Sequence, residues 1–227
     1  MQAQRLHPLL LDIQHTMQLK DIKRLYRLYM NGIVSQSMRL KGVEYRVNFG
    51  LTLPLLRRIA EQIPPSVEIA EELWHDTGVR ESMLLAPMVY PTEQCTPADA
   101  QRWVEAMPNI EVADFCCKYL FARLPYATEL VAHWVESEQN MVKYTAYRLA
   151  YALVPNVTDD AWLKMMASRA IAIVNGEGAE VSAARRFLTE ALLQPVAGKV
   201  IAQQLREADN IDEALRQNLL AFYDEEA

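Results

Sequence analysis

The stretch ADFCCKYLFARLP, residues 113–125, is almost wholly apolar and stops at a proline. Three other stretches end in the same way. VRESMLLAPMVYP stops at Pro91, VKYTAYRLAYALVP at Pro155 and ARRFLTEALLQP at Pro195, so the four stops are 34, 30 and 40 residues apart. Proline has no N–H to donate and clashes with the preceding turn, so each of these marks a helix end. A polar residue sits ten to twelve positions before each stop: Arg80, Asp114, Lys143 and Arg185. Further helical segments, among them EIAEELWHD and ATELVAHWVES, lie between the four and place Trp74 and Trp134 60 residues apart in similar surroundings.

Two helices repeated every roughly 30 to 40 residues is the signature of an α-solenoid of the HEAT kind. One helix pair cannot bury its apolar stripe alone, so consecutive pairs stack, and the second helix of each pair lines the concave side. The expected fold is therefore all-α: a curved solenoid of antiparallel helix pairs with a concave groove. We expect residues 1–227 to form a single repeat domain, with basic N-terminal helices and a connection over 1–50 and stacked helix pairs over 51–227. Equivalent positions converge in such a groove, which brings Arg80, Asp114, Lys143 or Tyr144, and Arg185 to one surface. Trp74, Trp103, Trp134 and Trp162 read as core between repeats.

Local signals agree. IKRLYRLYM, residues 22–30, puts Ile22, Leu25, Tyr26 and Tyr29 on one stripe with Lys23, Arg24 and Arg27 opposite, as an amphipathic helix requires. Residues 31–50, with glycines at 32, 42 and 50, read as a connection holding at most a short helix. Thr52 can then cap a helix with Pro54 in its first turn, which Pro64 and Pro65 stop.

Composition bounds the function. The chain has 227 residues, is 51% hydrophobic and holds only 7 glycines, which favours a helical protein with an ample core. Its apolar runs fall far short of the ~20 residues that a membrane span needs. The N-terminus, MQAQRLHPLLLDIQHTMQLK, has one short apolar cluster, interrupted by Asp12 and Gln14, and no small-residue cleavage site, so the expected location is cytoplasmic. Cys95, Cys116 and Cys117 lack CxxC spacing and read as free thiols; His7, His15, His75 and His133 are scattered. No metal and no cofactor is expected. NGEGAE, residues 175–180, reads as a turn and helix start, and no glycine-rich phosphate loop or catalytic triad spacing appears.

The net charge is −6, unevenly placed: residues 1–58 carry ten Lys or Arg against three acids, and the remainder thirteen against twenty-six. An acidic total argues against indiscriminate binding of nucleic acid, while a basic third can meet phosphate where its charges share a face. Asp114 itself has two readings. In one, Glu111, Asp114 and Lys118 form a solvated stripe with an Asp–Lys pair worth about 0.2–0.5 kcal/mol. In the other, Asp114 is a reaction centre in the groove.

Four segments carry a resemblance: FGLTLPLLRRIAEQI, AEELWHDTGVRESMLLAPMV, NIEVADFCCKYLF and WVESEQNMVKYTAYRLAYALV. In their order and spacing, over roughly residues 20 to 195, the chain resembles the AlkD-type DNA alkylation repair proteins, which are HEAT-like repeat solenoids. The resemblance implies DNA glycosylases that release alkylated purines such as 3-methyladenine and 7-methylguanine without metal or cofactor. It assigns Asp114 as the catalytic carboxylate, the last acid of the family's Trp-Asp-Thr-Val-Asp motif, which reads here Ile110, Glu111, Val112, Ala113, Asp114. The family's groove arginine falls on Tyr144 and its later tryptophan on Phe187, with Lys143 and Arg148 as neighbouring cations and Arg185 or Arg186 as substitutes. The expected DNA contacts are thus Arg80, Lys143, Tyr144, Arg185, Arg186 and Phe187, with duplex DNA bearing an alkylated base as partner and no membrane. The alternative is a solenoid without catalysis that binds a protein or structured nucleic acid, which Ile110 and the acidic total favour.

Overall fold

The computed structural model describes residues 17–42 and 44–224; His7, His15 and the leader reading lie outside them. Among the described residues there are thirteen α-helices and one isolated parallel bridge, Val47 to Val79. The helices are α1 Leu19–Leu28, α2 Gly32–Leu40, α3 Leu53–Ala60, α4 Val67–His75, α5 Arg80–Val89, α6 Pro97–Glu105 and α7 Ile110–Tyr119. They continue as α8 Ala127–Trp134, α9 Asn140–Leu153, α10 Asp160–Ile173, α11 Ala179–Leu192, α12 Ala197–Glu207 and α13 Glu213–Asp224. Among the described residues no helix is long and apolar enough to cross a membrane.

Side chains that compete with the backbone set where helices begin. Asn31, Ser66 and Asn109 accept the N–H three residues on, at 3.1, 3.2 and 3.1 Å. Thr96 and Asp99 close a reciprocal capping box around the start of α6. Pro54 sits in the first turn of α3 as expected, although Thr52 makes no capping bond there. At the far ends, short 3-10 turns at Phe121–Arg123 and Val154–Asn156 carry the chain out of α7 and α9.

The odd-numbered helices from α3 to α13 pack side by side in chain order. The second layer is built by even-numbered helices, with α4 on α5, α8 on α9, and α10 on α11. This is the alternation that a helical solenoid needs, and one connected apolar core runs through it from Ile22 to Leu219.

The tryptophans lie in that core and link its units. Trp103 stacks on Trp74 with ring centroids 4.1 Å apart, and its Nε1 donates to Glu71 at 3.0 Å, 32 positions earlier. Trp134 donates to Gln101 at 2.7 Å, 33 positions earlier, and Trp162 to the Thr128 carbonyl at 3.1 Å, 34 positions earlier. Each indole buries its ring and spends its polar edge on the preceding unit, which fixes the stacking register.

The connection over 31–50 holds the short helix α2 and then an extended run along α5. Val47 donates to the Gly78 carbonyl at 2.9 Å and accepts from Arg80 N at 3.1 Å. Asn31 N reaches the Phe49 carbonyl at 2.8 Å, and the Ser35 hydroxyl the Asn48 carbonyl at 2.8 Å. The approach is so close that a Cβ on Gly50, whose φ is +72°, would lie 2.2 Å from the Asn31 carbonyl oxygen. Only glycine fits there.

Candidate functional site

Helix α7 lies in the middle of the odd-numbered row, and its partly open face carries Ile110, Glu111, Asp114, Phe115, Lys118 and Tyr119. Asp114 is neither sealed in the core nor free. Its side chain is 39% exposed, and Oδ1 accepts from the Tyr144 hydroxyl at 2.8 Å and from Arg148 Nε at 2.8 Å. Tyr144 and Arg148 are i and i+4 on α9, so one face of that helix supplies both donors. Arg148 in turn lies over the Tyr151 ring, its Cζ 4.8 Å from the centroid. Oδ2 has no hydrogen-bond partner among the described residues.

The protonation of this cluster follows from its burial. Tyr144 is held well above the ordinary phenol range, by burial and then by the bond to the Asp114 carboxylate, so its hydroxyl stays a donor. Arg148 is pushed down by burial, but the charge and hydrogen bond of Asp114, with Cys117 and Tyr144 beside it, together raise it, so it stays a guanidinium. Cys117, fully buried behind the pair, is raised far above the usual thiol range by burial and by the Asp114 charge, and is unreactive. The arrangement can hold one carboxylate in fixed orientation with one oxygen turned to whatever occupies the open face.

One turn earlier, Glu111 faces the other way. Arg80 reaches both its oxygens through Nε at 3.1 and 3.0 Å, and Tyr45 donates to it at 3.4 Å while accepting from Asn109 at 2.9 Å. Glu81 accepts the N–H groups of Phe49 and Leu51 at 3.0 and 3.2 Å, and Arg80 Nη1 donates to the Leu51 carbonyl at 3.2 Å. This network binds the extended run of residues 45–51 to the row.

Several expected contacts are corrected by this geometry. Arg80 is 5% exposed, with its guanidinium spent on Glu111, Glu81 and Leu51, so it cannot meet a phosphate. Phe187 is fully buried and meets Trp162 edge to face, ring centroids 6.3 Å apart; it is core and offers no ring to a base. Tyr144 is also buried, and acts on Asp114 instead of on a ligand. Arg185 clamps the turn before α11, donating twice to the Val174 carbonyl at 2.9 and 2.7 Å and once to that of Gly176 at 3.1 Å. Arg186 is exposed and Lys143 half-buried, and both remain open to an anion.

The Asp114–Lys118 pair does not form; Lys118 lies beside the Tyr119 ring and Asp114 turns to Arg148. Of the two cations beside the family's arginine position, the fold chooses Arg148. The signal was there in its spacing, one turn beyond Tyr144. Ile110, 47% exposed, supplies an aliphatic edge beside Asp114 where the family motif has an aromatic. Among the described residues, no group of three or more His, Cys, Asp or Glu could hold a metal ion.

Comparison with known proteins places these features. A search of curated proteins found no match. Among solved structures, a protein described as one of "a new family of proteins related to the HEAT-like repeat DNA glycosylases with affinity for branched DNA structures" is similar, with a TM-score of 0.72 at 17% identity. The match covers 92% of this chain and 95% of that one, a likeness of fold. The family model for DNA alkylation repair enzymes matches residues 23–171, more than half of the chain and the whole of the Asp114 cluster. The chain is therefore a member of the DNA alkylation repair enzyme family.

Proposed function

We propose that this protein binds duplex DNA along the open face of its odd-numbered helices and that Asp114 is the reacting carboxylate in excision of alkylated purines. The observation that carries this reading is the half-exposed Asp114 held through Oδ1 by Tyr144 and Arg148, with Oδ2 left open. An N-alkylated purine is already cationic and leaves as a neutral base. The C1′–N9 bond breaks with its electron pair going to the purine, and the sugar becomes an oxocarbenium ion. Water then adds to C1′ and loses a proton. A fixed carboxylate opposes the developing positive charge and orients that water, as carboxylates do in glycoside hydrolysis. Arg186 and Lys143 would meet backbone phosphates.

The test is release of 7-methylguanine and 3-methyladenine from methylated duplex DNA. Wild type should release free base, and Asp114→Asn should lose about 100-fold or more, the usual scale for removing a group that stabilises developing charge. Absence of release by wild type at micromolar enzyme rejects the excision step.

A second reading has its own support. Arg148 already neutralises much of the Asp114 charge, and Ile110 cannot offer the stacking or cation–π contact that an aromatic gives a cationic base. Both features suit a DNA-binding member without excision, and the similar structure belongs to a protein described by its affinity for branched DNA. In that reading wild type binds a four-way junction more tightly than a linear duplex and releases no base.

A further inference from the structure

We propose that Arg57, Lys118 and Arg123, gathered around Tyr119, form a second phosphate-binding station, separate from Asp114 and placed at the other end of α7. It rests on the DNA-binding reading above but not on excision. Arg57 comes from α3 and crosses to α7, where its Nε donates to the Tyr119 hydroxyl at 3.0 Å. Its Cζ and the Lys118 Nζ lie 5.8 and 5.7 Å from the centroid of the same Tyr119 ring. Arg123 Nη1 donates to the Tyr119 carbonyl at 3.2 Å, and Phe115 backs the ring at 5.5 Å.

Two cations thus meet at one aromatic ring and a third holds the same residue's carbonyl, with no carboxylate within 4.0 Å of any of them among the described residues. The contrast is with eight other cations of the fold. Lys23, Arg24, Arg80, Arg102, Arg148, Lys164, Arg169 and Arg216 all have acidic partners. In a chain with 29 acids against 23 cations, leaving these three unpaired opposes folding by mutual repulsion and invites an anion from outside. The negative end of the α7 dipole accounts for Arg123 on the last carbonyls. It does not account for Arg57, which arrives from another helix.

The chemistry fits a phosphodiester. Arg57, Lys118 and Arg123 are all exposed, and Tyr119, having accepted from Arg57, keeps its own O–H to donate. Lys118 follows Asp114 by four residues, about 6 Å along the helix axis and on the same face. A strand lying over α7 would meet both, about two nucleotide steps apart at 3.4 Å per charge on each strand.

The experiment measures binding of a fluorescent duplex by anisotropy over a range of salt concentrations. Each phosphate contact contributes about 0.9 to the slope of log affinity against log salt. Wild type should show a steep fall, and Arg57→Ala with Lys118→Ala should flatten the slope by about 1 to 2, while Lys199→Ala on α12 leaves it unchanged. Thermal melting of each variant checks that these exposed substitutions leave the fold intact. Failure of wild type to bind the duplex overturns the station and the DNA reading together. Binding by wild type with an unchanged slope in the double variant overturns the station alone. A polyglutamate peptide that binds wild type as tightly as DNA and is lost in the same variant assigns the cluster to an acidic protein, and also overturns it.

Discussion

Glu111 and Asp114 stand one turn apart on α7 and are committed to opposite neighbours, Glu111 back to Arg80 on α5 and Asp114 forward to Arg148 on α9. The two ion pairs differ in kind. The first is largely buried and ties the extended run of 45–51 in place, and the second is half open to solvent. Mutation should therefore separate the structural carboxylate from the one proposed to react.

Glu111→Ala leaves the buried Arg80 guanidinium with part of its partner set removed. Loss of one member of a buried pair costs about 3–5 kcal/mol. Urea denaturation should show that loss, and Glu111→Leu combined with Arg80→Met should recover much of it. A double variant no more stable than the single one contradicts this account.

Tyr144→Phe deletes one hydrogen bond to Asp114 and should cost about 1 kcal/mol of stability. Arg148→Ala removes a partly exposed pair and should cost about 1 kcal/mol or less. Under the proposed excision reaction, release of methylated bases should fall about tenfold or more in each, since each substitution removes one of the two groups that hold the Asp114 carboxylate. An excision rate that follows stability alone would assign both residues a purely structural role.

Two glycines should answer alanine in opposite ways. Gly50→Ala sets a methyl against the Asn31 carbonyl oxygen and the Ser35 N–H, at 2.2 and 2.7 Å, in a left-handed backbone, and should destabilise by about 1–3 kcal/mol or more. Gly32 in α2 has nothing within 4 Å of a new Cβ, so Gly32→Ala should stabilise by about 0.4–1 kcal/mol. Thermal melts of the two variants decide the matter.

Alkaline pH should unfold the protein. Burial holds Tyr45 up to about 12 and Cys95 up to about 11, and lifts Tyr144 and Tyr147 further. The folded state therefore keeps protons that the unfolded chain releases at its ordinary thiol and phenol values, about 8.5 and 10. Stability is full below those values and falls as pH rises from about 9 toward the folded ones. Tyrosinate absorbance should rise cooperatively with loss of helical circular dichroism. Ionisation of all 10 tyrosines with the helices intact contradicts the burial argument.

The repeat was legible because proline stops and helical periodicity are local properties. Even the tryptophans declared themselves, since a large ring at helical spacing has few places to go but between layers. The site was legible only in part. Asp114 stood out as a carboxylate in an apolar helix, but its donors lie 30 and 34 positions away, and pairing across repeats depends on a register that periodicity fixes only to within a residue or so. Arg80 and Phe187 show the same limit from the other side. A charged residue in the first turn of a helix reads as exposed, and nothing in VRESMLLAPMVYP announces that residues 45–51 will lie across it and bury it. Phe187 sits between Arg186 and Leu188, and its direction is decided by Trp162 on the neighbouring helix.

The indole bonds of Trp103, Trp134 and Trp162 all run in one direction, from a later helix to an acceptor that precedes it in the chain. During synthesis each acceptor therefore emerges from the ribosome before its donor does. Every newly emerged unit finds a finished template behind it, so the protein can assemble vectorially, growing by addition at its C-terminal edge without waiting for the whole polypeptide.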